Sequence, residues 1–242
     1  MNTTDSLSAE NRARLAGVST ATLSTALFKR GLKNMFIQDV RPVGTRTENM
    51  IGEAFTLRYM PSREDLDRIE VFEDPAHPQR KAVEICPPGH VLVIDSRKDA
   101  RAASAGSILV TRLMKRGVSG IVTDGGFRDS ATIAALPFAA YHRRPSAPTN
   151  LTLHRAVDIN VPIGCGDAPV FPGDIVVGDG DGVIVIPAHM ANDITEEAHE
   201  MTAYEDFVEE EVMKGETIVG LYPATNDVTR AKFQAWRQAN NR

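Results

Sequence analysis

Hydrophobic and polar positions along this chain change period several times, and each change predicts an element. "ATLSTALFKRG" has the pattern of a helix, with Ser19 or Thr20 as its cap and Gly31 as its C-terminal stop. From about Met50 to Arg58 the pattern is strand-like, and "DLDRIEVFEDPAHPQRKAVEI" then mixes charges and prolines, which predicts a short helix and a loop. "GHVLVID", Gly89 to Asp95, is a continuous apolar run of the kind a strand covered on both faces requires. "AGSILVTRLMKRG" pairs Leu109 with Leu113 and Val110 with Met114 at helical spacing and closes on Gly117, before "VSGIVTD" returns to a strand. Strand, helix and strand within about 35 residues predict a parallel crossover unit.

Further on, "SATIAALP" predicts a short helix ended by Pro137, and "FAAY" a strand. "DIVVGDGDGVIVIP" sets two β-branched runs around a glycine-aspartate turn, the pattern of a β-hairpin in which Asp174 and the turn aspartates serve the backbone. Ala188 to Lys214 predicts one long acidic helix, followed by a polar tail containing Trp236. On that helix Ile194, Ala198, Met201, Val208 and Val212 form an apolar stripe, and Glu205 falls inside it. A carboxylate there needs a partner or a cation, unless it sits at the edge of the stripe beside Tyr204 and reaches water. Glu196, Glu200, Glu209 and Glu210 belong to a solvated face. With no linker-like segment and no repeat, the chain is expected to be one domain, 1–242, with its core at about 19–215 and a tail at 216–242.

Composition narrows the function classes. The chain has 242 residues, and its hydrophobic content of 42% is enough for a substantial core. A net charge of −5 with no Lys/Arg-rich run argues against nucleic acid as the main ligand. The polar N-terminus lacks the apolar centre of a signal peptide, and no stretch approaches the roughly 18 apolar residues of a membrane span, so a soluble, cytoplasmic protein is expected. Cys86 and Cys165 fit no metal-ligand spacing and suit small buried hydrophobes; His77, His142 and His154 show no ligand pair.

The chemistry concentrates in "TDGGFRDS", Thr123 to Ser130, at the carboxyl end of a predicted strand, where α/β sheets collect ligands. Glycines at 125 and 126 allow close approaches, and Arg128 and Asp129 stand at the start of the next helix. A guanidinium can grip a carboxylate or polarise a carbonyl, and a carboxylate can hold a divalent cation. A purely structural account is equally open, in which Asp129 or Ser130 caps the helix, Arg128 pairs with Asp124 and Gly-Gly is only a turn. A second anion cradle is the helix N-terminus at "AGSILV", Ala105 to Val110.

Together, "AGSILVTRLMKRGVSGIVTDGGFRDS" and the later "FPGDIVVGDGDGVIVIP" resemble the 4-hydroxy-4-methyl-2-oxoglutarate/4-carboxy-4-hydroxy-2-oxoadipate aldolases, the class II pyruvate aldolases, whose superfamily also contains the protein regulator of ribonuclease E activity. The likeness covers roughly residues 19–215. It implies an α/β fold, an α-β-β-α sandwich of the swivelling β/α/β type with mixed sheets and a long C-terminal helix, assembled as trimers or hexamers with active sites between subunits. It also implies a Mg²⁺ or Mn²⁺ lyase that releases pyruvate from a 4-hydroxy-2-oxo acid and decarboxylates oxaloacetate. By resemblance, Arg128 contacts the pyruvate carbonyl oxygen and Asp129 holds the metal. Glu205 reaches the site from a neighbouring subunit, and the backbone amides of Gly106, Ser107, Ile108 and Leu109 bind the substrate carboxylate. Ser107 departs from the family, which often has an acidic or amide residue there. A non-catalytic protein-binding regulator and a sugar-acid dehydratase or hydratase are the competing expectations.

Overall fold

The computed structural model describes residues 7–45 and 47–242. Its helices are α1 (Ala9–Leu15), α2 (Thr20–Lys29), α3 (Pro78–Ile85), α4 (Ser107–Lys115), α5 (Ser130–Ala134), α6 (Ala191–Met213) and α7 (Asp227–Asn240). The strands up to the middle of the chain are β1 (Phe36–Ile37), β2 (Arg41–Pro42), β3 (Met50–Pro61), β4 (His90–Asp95), β5 (Ala103–Ala105), β6 (Gly120–Thr123) and β7 (Gly126–Phe127). After them come β8 (Ala139–His142), β9 (Arg144–Pro145), β10 (His154–Ile159), β11 (Ile163–Cys165), β12 (Ala168–Val170), β13 (Ile175–Gly178) and β14 (Val183–Ile186).

The main sheet is mixed, in the order β1-β14-β13-β3-β4-β6-β8-β2, with β10 on the outer half of β3. Its centre is parallel, β3 with β4, β4 with β6 and β6 with β8, and the expected crossover is β4-α4-β6. The expected hairpin is β13-β14, paired from Ile175 and Ile186 to Gly178 and Val183. In its turn Asp179 accepts the amides of Asp181 and Gly182, and also the amide (2.7 Å) and hydroxyl (2.9 Å) of Thr20, so the hairpin fastens the start of α2. Asp174 likewise accepts the amides of Phe171 and Ala188.

Both faces of the sheet are covered, and β4 shows why its sequence has no polar alternation. Val91 and Val93 join the core beneath α1, α2 and α6, whereas Leu92 and Ile94 join the core beneath α3 and α4. Cys86 and Cys165 are free and buried, one in each core. No helix among the described residues is long and apolar enough to cross a membrane.

The C-terminal part departs from the sequence expectation in two ways. The polar tail is not a simple tail, because it contains α7, capped by Asn226 and packed on α6 through Phe207, Phe233 and Trp236. The apolar stripe on α6 also fails at its end. Ile194, Ala198 and Val208 are buried, but Val212 is 39% exposed, and Ala203 and Phe207 are buried instead. The N-terminal half of α6 covers the sheet while its C-terminal half packs against α7, so the buried face turns part-way along the helix.

Candidate active site

Beyond the ends of β4, β6 and β8 the chain forms a second, three-stranded parallel sheet, β5-β7-β9. Its register pairs Ala103 with Gly126 and Ala105 with Phe127, and the Arg128 amide donates to the Ala105 carbonyl (3.1 Å). This pairing lays the start of α4 beside the Arg128-Asp129 dipeptide. The result is a cleft of about 370 Å³ lined by Gly106, Ile108, Leu109, Arg128 and Asp129, with Ile69, Phe72 and Arg80 from the preceding segment.

Asp129 occupies the cap position of α5 but does not cap it. Its backbone is left-handed (φ 57°), a conformation that aspartate adopts more readily than most residues, and its Oδ2 accepts both the amide and the hydroxyl of Ser107 at 3.3 Å. Arg128 Nε lies 3.8 Å from the same oxygen, and both side chains remain close to half exposed. Ser130 does not cap the helix either, since its hydroxyl donates to the Phe127 carbonyl. Asp124 is not the partner of Arg128. It is buried and accepts the amides of Ser96 (2.7 Å), Lys98 (3.0 Å) and Gly166 (3.1 Å), which tie three loops together, and burial pushes its carboxyl above the ordinary range.

The close approaches that Gly125 and Gly126 allow are made by neighbouring protein atoms and not by open space in the cleft. A Cβ on Gly125 would lie 2.6 Å from Ser96 Cβ and 2.7 Å from Ser104 Oγ, and one on Gly126 would lie 2.7 Å from Ser146 Cβ, so both serve internal packing. Gly106 is the glycine that faces the site: a Cβ there would lie 2.8 Å from Arg128 Cγ and 3.0 Å from Asp129 Oδ2. As the cap residue of α4 it leads into the first-turn amides of Ser107, Ile108 and Leu109, which have no acceptor within a helix. Ile108 points its side chain outward, 81% exposed.

The structure thus brings together Gly106 to Leu109, Arg128 and Asp129, but within one chain Glu205 is elsewhere. Its carboxylate accepts the hydroxyls of Thr22 (2.6 Å) and Tyr222 (3.3 Å) and lines a separate groove with Lys29, Met201, Tyr204 and Phe233. The partner that the stripe argument required is therefore a pair of hydroxyls. Two features went unnoticed in the sequence. Arg80 reaches the cleft and stacks on Phe72, and a buried network behind it joins the Gln79 amide to Tyr59 Oη (3.1 Å) and the Ser104 carbonyl (2.7 Å).

No group of three or more His, Cys, Asp or Glu side chains among the described residues could by itself hold a metal ion. Asp129 is the single described carboxylate in the cleft, and both of its Ser107 donors fall on Oδ2. Mg²⁺ commonly binds through one or two carboxylates, with water and substrate oxygens completing its shell. This donor set fits a hard divalent ion shared with a substrate and does not form an all-protein cage.

The profile of the RraA-like family, described as Aldolase/RraA, matches residues 20–185. The chain belongs to the RraA-like family. The matched span contains Gly106 to Leu109, Arg128 and Asp129, and it ends before Glu205. A relative from Halalkalibacterium halodurans, named "Putative 4-hydroxy-4-methyl-2-oxoglutarate aldolase", is 31% identical over 186 residues, 77% of this chain and 80% of the relative. Streptomyces coelicolor RraAS2, described as an unusual member of the RNase ES inhibitor RraA protein family, superposes with a TM-score of 0.73 at 27% identity, over 84% of this chain and 96% of its own. An uncharacterized protein from Pseudomonas syringae pv. tomato shares the fold, with a TM-score of 0.75 at 22% identity over 90% of this chain and 98% of its own.

Proposed function

We propose that this RraA-like protein is a lyase that cleaves a 4-hydroxy-2-oxo acid to release pyruvate, using Mg²⁺ or Mn²⁺ at Asp129. The observation that carries this reading is the seating of Arg128 and Asp129 against the Cβ-free edge of Gly106, at the open end of α4. The H. halodurans relative supports the same reaction class through its name.

The 2-oxo acid end of the substrate is bound by the first-turn amides of α4, whose dipole favours a carboxylate. Arg128 donates to the C2 oxygen, where negative charge grows as the C3–C4 bond breaks. The 4-hydroxyl loses its proton and becomes the carbonyl of the departing fragment, while the bond's electron pair forms the pyruvate enolate, which a proton at C3 converts to pyruvate. A bound divalent ion supplies Lewis-acid stabilisation of that oxygen charge. Ser107 anchors Asp129 by two hydrogen bonds and brings no charge of its own. The partner subunit's Glu205 takes up the hydroxyl proton through water, in an assembly of three or six copies. The same enolate arises when oxaloacetate loses CO₂, so decarboxylation accompanies the cleavage.

A second reading, a protein-binding regulator, is favoured by the likeness to the RNase ES inhibitor family member. One experiment separates them. Pyruvate release from oxaloacetate and from 4-hydroxy-2-oxo acids is measured with Mg²⁺ or Mn²⁺ and then with EDTA. Metal-dependent release abolished in Asp129→Ala is expected for the lyase, and no turnover with either metal refutes it.

A further inference from the structure

The α4 amides and Arg128 account for one end of an anionic substrate, but the cleft holds a second guanidinium that this chemistry leaves unused. Arg80 lies in the first turn of α3, two residues after Pro78, and its guanidinium carbon stands 4.4 Å from the centroid of the Phe72 ring. The side chain is half-buried, and among the described residues it has no carboxylate within ion-pair distance. This is a poor place for a cation on stability grounds. The positive end of a helix dipole disfavours it, and the first turn of α3 carries no acidic residue to offset the charge. Phe72 supplies the remaining restraint, holding the planar group against the wall of the cleft and leaving its N–H edge for a ligand.

The charges lining the cleft point the same way. Among the described lining residues, two guanidiniums, Arg80 and Arg128, face a single carboxylate, Asp129. A substrate with one carboxylate engages α4 and Arg128 and leaves Arg80 facing an apolar chain. A substrate with a second carboxylate at its far end satisfies it. We infer that Arg80 is the specificity-determining residue of this cleft and grips a terminal carboxylate remote from the 2-oxo acid group. The inference rests on the proposed placement of the 2-oxo acid end at α4.

The test is a binding measurement, so it does not depend on turnover. Titration calorimetry in Mg²⁺ buffer compares 2-oxoglutarate with 2-oxopentanoate, chains of equal length that differ in the terminal carboxylate. The unmodified protein is expected to bind the dicarboxylate about 10-fold to 100-fold more tightly, the range set by one or two charged hydrogen bonds. In Arg80→Met, which keeps the stem over Phe72, the preference falls to within about 2-fold through weaker 2-oxoglutarate binding alone, and Arg80→Lys restores part of it. Equal binding of the two acids by the unmodified protein overturns the inference, as does a preference that survives in folded Arg80→Met or an equal loss for both acids. Failure of the lyase reading appears separately, as absent pyruvate release from 4-hydroxy-2-oxo acids by a protein that still binds 2-oxoglutarate through Arg80.

Discussion

Replacing Gly106 by alanine adds one methyl group at the place where the proposed site is tightest. The backbone tolerates it, because φ −126° and ψ 177° are ordinary extended values. The new Cβ would stand 2.8 Å from Arg128 Cγ and 3.1 Å from its Cδ, whereas carbon contacts are best at about 3.5–4.0 Å, so Arg128 must retreat by roughly 0.7 Å or more. Asp129 Oδ2, 3.0 Å away, is displaced with it. Both side chains are nearly half exposed and can swing outward, which keeps the folding cost within about 1 kcal/mol and the melting shift within about 4 °C. A misplacement of this size at reacting groups costs about 100-fold in kcat/KM. The assay is pyruvate release coupled to NADH oxidation by lactate dehydrogenase, with melting followed by circular dichroism. Gly125→Ala is the control, since its Cβ would strike the buried Ser96 and Ser104 and so lowers stability by about 1–3 kcal/mol. Gly106→Ala with unchanged kcat/KM, or with a loss fully explained by unfolding, refutes the assignment of Gly106 to the site.

Asp129→Asn keeps the shape but removes the charge; activity is expected to fall at least about 100-fold, with a weaker apparent affinity for Mn²⁺, and unchanged Mn²⁺ activation would contradict the metal role. Glu205→Gln and Asp129→Ala proteins, each inactive alone, should recover about one quarter of full activity after dissociation and mixed reassembly if each site is shared by two copies; no recovery in verified mixed oligomers places Glu205 outside the reaction. His142 is buried against Phe127, its Nδ1 accepts the Phe127 amide, and burial depresses its pKa to about 4. Its folded pKa is below the ordinary 6.5, so its stabilising contribution is complete above pH 6.5 and lost as pH falls through about 4, a loss of about 3 kcal/mol in all. Urea unfolding should therefore show a shallower acid slope in His142→Gln, and an unchanged slope would remove this residue from the account.

What the sequence revealed depended on how local the determining contacts are. The uninterrupted apolar run of β4 announced a strand covered on two faces, and the β13-β14 hairpin was written into its glycine-aspartate turn. Arg128 and Asp129 were legible because they are adjacent in sequence at a strand end. Arg80 was not, because it enters the cleft only after the proline-rich segment before β4 folds over β5 and α4, and its sequence neighbours look like an ordinary polar loop. The close packing of Gly106 against Arg128 and Asp129 was hidden for the same reason, since those residues lie more than 20 positions away. α7 was masked by its polar composition, although Thr229, Phe233 and Trp236 stand at helical spacing behind the capping Asn226.

The docking of α7 gives the protein an internal optical probe. Trp236 is the sole tryptophan of the chain, and its indole packs on Phe207 and Phe233 while its N–H donates to Glu210 at 2.8 Å. That aromatic cluster is separate from the two cores that sandwich the main sheet. Emission at long wavelength, selectively excited, therefore records the attachment of the last helix alone, whereas far-ultraviolet ellipticity averages over every helix and strand. If the two signals part company during denaturation, the C-terminal segment peels away as its own cooperative unit; if they coincide, it melts with the sheet.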